Sequence, residues 1–408
     1  MRTVVFCATL LAALVPSRAG SQPLSLTESD ALARLSPDSP RVRAIGSAVD
    51  LARADVLTAA RWPNPRVTFG RESVAGVTEH MTMVAQPLPV TGRRGFEVQA
   101  ASALVDASSN RVDEALRRAR ADLRLVFAQL VAAQSREREL AAARGRLRDL
   151  ADVLAAREAA GDVAGFDRLR SEREVLDIDA DRAGAATERA RAQAVMASFF
   201  AEPVDPSRIV AVDAIASYPV LPSVDLLVER SESARGELLA LRNDVDAARL
   251  SARAADRRRI PEPEIVAGTK SSTAGGGDLG GVITLQAVMP LFDRGHPERA
   301  LAEARARHAE TRLEALRLAL RGEIAALRSA VLERRDTAAR YRSAAVTIAD
   351  QLERIAQVSY DAGDRGILEL LDAFRAGSAA RVRQAALDLA VRQAHIELEF
   401  ISGWEIPS

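Results

Sequence analysis

Apolar residues recur with a helical period along most of this chain, and the same pattern occurs twice. In each half they keep a seven-residue step, the spacing of helices that wrap around one another. The runs cover about residues 94–160 and 297–362. At 1.5 Å per residue each helix would be roughly 100 Å long, far longer than a compact domain needs. The positions on this step are Leu116, Leu123, Leu130, Leu140, Leu147 and Leu154, then Leu313, Leu320, Leu327, Tyr341, Ile348 and Ile355.

A pair of short strands is predicted before each long helix. An earlier helix stops at Pro63-Asn64-Pro65 in the first half and at Pro261-Glu262-Pro263 in the second, because proline bars a helix from continuing. The segments that follow have strand character and are separated by turn-rich residues, which predicts two β-hairpins. The predicted strands run from Arg66 to Ser73, from His80 to Gln86, from Glu264 to Ser272 and from Gly281 to Val288.

Each long helix is predicted to end at a glycine and to be followed by a returning helix. Gly161 and Gly363 can adopt the left-handed backbone that terminates a helix. The returning helices extend over about residues 166–200 and 367–401, so each half contains one long helical hairpin. The predicted fold is mostly α with a small β part.

The order of signals divides the chain into two repeats. Residues 1–19 have a basic start, an apolar run and small residues before a cleavage site, which predicts a signal peptide cut after Ala19. The run is too short to cross a bilayer as a helix. The first repeat is expected over residues 20–200, an inter-repeat linker over 201–222, the second repeat over 223–404 and a tail over 405–408.

Four strands are too few to close a barrel, and an open sheet in a membrane would leave unpaired edges. Two copies of the chain would supply eight strands with a filled interior, whereas three would supply twelve and leave room for a channel. Alternation favours a sheet with two different faces, because Ile283, Leu285, Ala287 and Met289 can share one side and Thr284 and Gln286 the other, although Val282 and Val288 also fall on that second side. Soluble hairpins that cap a helical rod are the alternative.

Composition removes several classes of protein. Apolar residues make up 48% of the chain and aromatic residues only 4%, which is typical of closely packed helices and not of an all-β globule. Acidic and basic residues balance at 56 each, so no excess charge points to nucleic acid. The single cysteine, Cys7, lies within the predicted signal peptide and supplies no thiolate ligand or lipid-attachment site after cleavage.

This order of helix, Pro-x-Pro, hairpin, glycine, long helix, glycine turn and returning helix, given twice, resembles the TolC family of outer-membrane efflux channels. The resemblance covers essentially the whole chain after the signal peptide. It implies a homotrimer with a TolC-like α-helical barrel in the periplasm and a 12-stranded β-barrel in outer-membrane lipid. It also implies a passive conduit, not an enzyme and without a cofactor, that works with a periplasmic adaptor and an inner-membrane pump of the RND type.

The end soon after Trp404, the short linker and the Trp62-Pro63-Asn64-Pro65 segment look most like the heavy-metal cation efflux components of that family. Many of those components are lipoproteins, and this sequence lacks the lipidation cysteine. Metal cations and small organic compounds therefore both stay open as cargo.

The resemblance assigns Glu369 and Asp372 to the periplasmic gate. They stand three residues apart and can share one side of a helix, so three copies would place six carboxylates around one opening and favour cations. An ordinary solvated acidic face is the alternative. Asp167 holds the equivalent place in the first repeat, but Arg168 and Arg170 follow it there.

The helix-breaking turns resemble the family's periplasmic tips and are candidates for adaptor docking, although capped turns would look the same. The candidate docking residues are Gly161, Asp162, Val163, Gly363, Asp364 and Arg365. No metal site is predicted, because the histidines (His80, His296, His308 and His395) are isolated and none makes a metal-ligand spacing. No nucleotide loop or catalytic set is found either.

Two other functions remain open at this stage. A periplasmic adaptor would normally show one helical hairpin between two halves of a β domain, whereas this chain has two hairpins in tandem. A coiled-coil structural protein of the cell envelope would require all four predicted strands to be wrong.

Overall fold

The computed structural model describes residues 22–161, 165–212 and 219–404. The predicted signal peptide, Asp162, Val163 and the tail lie outside these ranges. The helices are α1 (Glu28–Ala33), α2 (Pro40–Ala60), α3 (Arg93–Ala160), α4 (Gly165–Ala197), α5 (Val224–Ala234), α6 (Gly236–Asp256), α7 (His296–Tyr341), α8 (Thr347–Asp361) and α9 (Ile367–Ser402). The strands are β1 (Leu24–Leu26), β2 (Arg66–Val74), β3 (Val77–Pro87), β4 (Ile209–Ala211), β5 (Pro263–Ser272) and β6 (Leu279–Ala287).

The two long helices differ in regularity. Helix α3 runs without interruption for 68 residues between Gly92 and Gly161, both with positive φ. The corresponding segment of the second repeat is α7 followed by α8, joined through a π-helical turn at Arg342–Val346. Such a turn inserts an extra residue into the helical ladder, and the apolar step of the sequence does not reveal it.

The helices pack side by side. On one side of α3 lie α2 and α4, and on the other side lie α6 and α9. Helix α7 packs against both α6 and α9, and α8 packs against α9. Helix α3 is central, because it contacts α2, α4, α6 and α9. Helix α2 lies at one edge and contains no buried residue along its 21 residues. A helix left this exposed on an edge has an apolar side that its own chain does not cover.

Three apolar cores hold the helices together. One joins the middle of α3 to the end of α4, a second joins the ends of α3 and α4 to α9, and a third joins α5, α6, α7 and α9. Buried leucines anchor each core, including Leu123, Leu154 and Leu398. Alanines at many of the other buried positions let the helices approach closely.

A small parallel sheet, absent from the sequence prediction, joins the start of the first repeat to residues 201–222, the predicted inter-repeat linker or equatorial segment. Strands β1 and β4 pair with Leu24 opposite Ile209. The side chain of Gln134 in α3 bonds both backbone groups of Ala211 at 2.9 Å, and Gln193 in α4 donates to Ile209 O at 2.7 Å. These bonds fix the linker to the first helical hairpin.

The four predicted strands form one antiparallel sheet in the order β2-β3-β5-β6. Three of these strands lie within two residues of their predicted bounds, and β3 begins at Val77, three residues before its predicted start at His80. The two hairpins are joined through β3 and β5, and β2 and β6 form the free edges. Within the described ranges, no helix combines the length and apolar character needed to cross a membrane.

Candidate functional site

The four-stranded sheet has one apolar and solvent-exposed face. The strand register places Phe69 opposite Thr82, Ala267 opposite Ile283 and Ile265 opposite Leu285 on this side. Seven large apolar side chains on this face are between 42% and 85% exposed in the isolated chain. Exposure of this extent marks a surface that meets another apolar medium or protein. The seven residues are Val67, Phe69, Val84, Ile265, Leu279, Ile283 and Leu285.

The opposite face of the sheet carries paired charges. Arg66 donates to both carboxylate oxygens of Glu264 at 2.6 and 2.7 Å, and Gln286 donates to the same group at 2.8 Å. Near the other end, Lys270 Nζ lies 2.6 Å from Glu79. A sheet with these two faces can separate an apolar phase from an aqueous one.

Both edges of the protomer present backbone or apolar groups that the described chain leaves without a partner. Strands β2 and β6 each pair on one side only. On the helices below them, Leu51 and Leu57 of α2 are 73% and 74% exposed, and Leu318 of α7 is 77% exposed. Sheet and helices are therefore incomplete along the same two sides.

The helical tips have the geometry that their glycines predicted. Gly161 and Gly363 adopt φ of 84° and 78° and end α3 and α8. After the second turn, the backbone N–H groups of Asp364 and Arg365 donate to Ser359 O at 2.9 and 3.3 Å. Both side chains lie on the exposed surface. Of the other docking candidates, Asp162 and Val163 are outside the described residues.

The predicted gate carboxylates lie together on the first turns of α9. Glu369 and Asp372 are exposed, whereas Leu370, Leu371 and Phe374 are buried in the core shared with α3 and α4. This alternation follows from the helical period and turns both acids away from the core. The two acids therefore share the outward side of one helix.

A salt bridge that the sequence did not reveal fixes the orientation of this helix. Arg375 of α9 donates to both carboxylate oxygens of Glu174 in α4, with Nε at 2.6 Å. The side chain of Glu174 is 4% exposed, and that of Arg375 is 45% exposed. The hydrogen bond to Glu174 raises the pKa of Arg375, and the charges of Asp372 and Asp177 act in the same direction. Arg375 thus links α9 to α4 close to Asp372, one of the predicted gate carboxylates.

Asp167 lies in a different setting at the start of α4. Its neighbour Arg168 bonds Glu158 at the end of α3 and Glu172 one turn further along α4. No hydrogen bond or ion pair joins Asp167 to Glu369 within the described part of the chain. Asp167 therefore lies next to glutamates that are already paired with an arginine.

A buried charged network at mid-length is a second feature that the sequence did not reveal. Arg124 of α3 donates to Glu28 at 2.5 Å and to Glu399 of α9, and Arg392 also bonds Glu28. Burial raises the pKa of Glu399, opposed by the charge of Arg124. The network joins α1, α3 and α9.

His395 is fully buried beside this network. Burial, together with the positive charges of Arg335, Arg392 and Arg124, lowers its pKa to about 4. His395 is therefore neutral at physiological pH. Among the described residues, no group of three or more His, Cys, Asp or Glu side chains could hold a metal ion.

Comparison with known proteins agrees with this architecture. Residues 227–404, most of the second repeat, match the outer membrane efflux protein family. A comparison with curated protein sequences gives no match.

Three solved structures illustrate the similarity in fold. The outer-membrane channel OprN is 19% identical, with a TM-score of 0.77, over 93% of this chain and 90% of its own. The outer membrane protein VceC of Vibrio cholerae is 17% identical, with a TM-score of 0.74, over 92% and 96%. The CmeC outer membrane channel of Campylobacter jejuni is 12% identical, with a TM-score of 0.75, over 98% and 94%. The second repeat thus matches the model of the outer membrane efflux protein family over residues 227–404, and across both repeats the chain has the fold of solved outer-membrane channels.

Proposed function

We propose that this chain is the outer-membrane channel of a tripartite efflux system. Three copies form a passive conduit from the periplasm to the exterior, and an inner-membrane pump of the RND type and a periplasmic adaptor deliver the substrates. The cargo is metal cations or small organic compounds. The chain itself is exported by means of a signal peptide that is cleaved after Ala19.

The observation that carries this proposal is the sheet with one apolar exposed face, one polar paired face and two open edges. Pairing β6 of one copy with β2 of the next satisfies both edges, and three copies give twelve strands. A barrel of this size leaves an open interior, and its apolar face meets lipid.

The helices support the same assembly. The apolar positions left exposed on α2 and α7 lie on opposite edges of the helical layer, so a second copy can cover them. Closure of the layer by three copies produces a helical tunnel continuous with the barrel. The two tandem helical hairpins and the four-stranded sheet count against an adaptor, for which one hairpin is expected.

We assign the gate to the tips of this tunnel. Glu369 and Asp372 from three copies place six carboxylates around the periplasmic opening, which attracts cations and repels anions. Asp167 contributes less because arginines surround it in sequence. Adaptor docking is assigned to the turns at Gly161, Asp162 and Val163 and at Gly363, Asp364 and Arg365.

The mass and conductance of the mature protein test this function. Protein extracted with detergent from outer membranes is expected to be a trimer and to form ion-conducting channels in planar bilayers. A soluble monomer or dimer recovered from the periplasm would overturn the proposal and favour the adaptor or a coiled-coil protein.

Docking has a separate test in cells. Replacing exposed Arg365 with Trp should abolish export but leave trimers and conductance intact, whereas Arg354→Trp, an exposed position further from the tip, should leave export intact. Full export by the Arg365 variant would contradict the proposal that the adaptor docks at this tip.

A further inference from the structure

The end of the sheet nearest the helices is a surface in which four chain segments meet. These are residues 60–66, 87–97, 256–264 and 288–299, each at a boundary between helix and strand. Side chains join them: Arg94 Nε donates to Ala60 O at 2.9 Å, and Arg93 Nη2 lies 3.1 Å from Glu262. Gly295, with a φ of 77°, packs so closely on the carbonyl of Ala255 that any larger residue would clash. We call these four segments the junction belt.

The junction belt carries an excess of positive charge although the whole chain is neutral. It contains nine arginines and six carboxylates. Each carboxylate lies within 3.9 Å of an arginine nitrogen, and Arg66, Arg93, Arg258 and Arg299 provide all of these contacts. Within the described ranges, five arginines of the belt have no carboxylate partner. These are Arg61, Arg94, Arg257, Arg259 and Arg294.

The opposite end of the sheet has no such excess. There Arg71 and Lys270 are outnumbered by Glu72, Glu79 and Asp278. The positive charge is therefore confined to the end of the sheet that adjoins the helices.

Apolar side chains project from the same level as the unpaired arginines. Phe292 is 99% exposed and Val288 is 85% exposed, and Met289 and Leu291 are exposed beside them. Trp62 is also exposed, with the guanidinium of Arg94 5.5 Å from its ring. Aromatic and apolar groups next to basic groups are typical of the boundary between hydrocarbon and water in a bilayer.

We propose that the junction belt binds the anionic headgroups of phospholipids on the periplasmic side of the membrane. The proposal rests on the function given above. The nine residues of β6, tilted by about 45°, cover roughly 20 Å of bilayer depth, close to the ~25 Å apolar band of membrane barrels. The belt therefore lies at the level of the headgroups. Guanidinium groups bind phosphate through paired hydrogen bonds, and the apolar side chains enter the acyl boundary.

Lipid binding to the purified trimer tests this proposal. Native mass spectrometry and thermal unfolding would compare added phosphatidylglycerol with phosphatidylcholine in a neutral detergent. The unmodified trimer should bind and be stabilised by phosphatidylglycerol in preference. The combined variant Arg61→Gln, Arg257→Gln, Arg259→Gln and Arg294→Gln should lose this preference by about tenfold or more, since each basic group near an anionic surface contributes appreciably.

A matched variant controls for the loss of arginine itself. It replaces four exposed arginines of the long helices that also lack a carboxylate partner within the described ranges, and it should keep the lipid preference. These changes are Arg182→Gln, Arg191→Gln, Arg354→Gln and Arg383→Gln. Equal loss in both variants, or no preference in the unmodified trimer, would overturn the proposal.

Two further outcomes would show that the belt arginines bind something other than lipid headgroups. Dissociation of the belt variant into monomers without added lipid would assign the arginines to contacts between copies. Equal stabilisation by inorganic phosphate would assign them to a free anion. A conducting trimer with no headgroup preference would overturn only this inference, whereas the absence of a membrane trimer would overturn the proposed function as well.

Discussion

A charge placed on the apolar face of the sheet provides the sharpest test of membrane insertion. Ile283 is the fifth of nine residues in β6, is 85% exposed in one protomer and lies opposite Ala267 on the apolar face. Its neighbour Thr284 faces the polar side, in register with Val266 and two positions from Gln286. The two adjacent positions thus differ in face but hardly in depth.

The expected cost follows from this placement. An arginine that faces lipid near the bilayer midplane costs about 2–4 kcal/mol, and the cost falls to about 0–1 kcal/mol near the interface. Three distant copies add, so Ile283→Arg should destabilise a trimer by roughly 6–12 kcal/mol. Thr284→Arg should cost little, because its guanidinium enters the aqueous interior. Leu279→Arg, on the apolar face but at the strand end, should lie between the two.

Urea titration of the trimer in lipid vesicles measures these differences, with the heat-resistant trimer band on gels as an independent readout. The expected order of destabilisation is Ile283→Arg, then Leu279→Arg, then Thr284→Arg. Equal costs at positions 283 and 284, or a larger cost at 284, would refute the assignment of the two faces and with it the barrel.

The remaining predictions concern the helices. Glu369→Gln combined with Asp372→Asn should shift the reversal potential in a salt gradient toward zero, because the opening would lose its preference for cations. An unchanged potential would contradict the assignment of the gate to these residues. Arg375→Met should lower the free energy of unfolding by about 2 kcal/mol because it leaves the buried carboxylate of Glu174 without a partner. Glu174→Gln should lower it by less, since Arg375 is half exposed and water can hydrate it. His395 has a pKa of about 4 in the folded protein, below the ordinary 6.5. Its contribution to the free energy of unfolding is therefore complete above pH 6.5 and is lost as the pH falls toward 4. That loss is roughly 3 kcal/mol, and a His395→Gln variant whose stability falls as steeply with acid would contradict it.

Periodicity and proline positions were enough to predict the long helices, the returning helices and the four strands of the antiparallel sheet. The strand predicted from Arg66 to Ser73 is observed as Arg66–Val74, and the helix predicted to end before Gly161 ends at Ala160. Both signals are local, because proline and glycine act on the backbone at their own positions. They do not depend on how distant segments pack.

Contacts between distant segments could not be predicted in the same way. Glu174 and Arg375 are 201 positions apart, and each stands among many charged residues with the same helical spacing. The parallel pairing of β1 and β4 involves only three residues on each strand, too few for a recognisable alternation. The π-turn at Arg342–Val346 leaves no mark in composition or in the seven-residue apolar step.

The two repeats share a fold but contribute differently to the tip, and the distribution of arginines explains why. In the first repeat Arg168 neutralises the acids nearest Asp167 by bonding Glu158 and Glu172. In the second repeat Arg375, three residues after Asp372, bonds the buried Glu174, and no ion pair joins Glu369 to a basic side chain within the described ranges. If the gate lies at the tips as proposed, we expect cation attraction to come mainly from the second repeat. Asp167→Asn should then alter selectivity far less than the neutralisation of Glu369. An equal effect of the two would show that the assembled tip places Asp167 at the opening despite its neighbours.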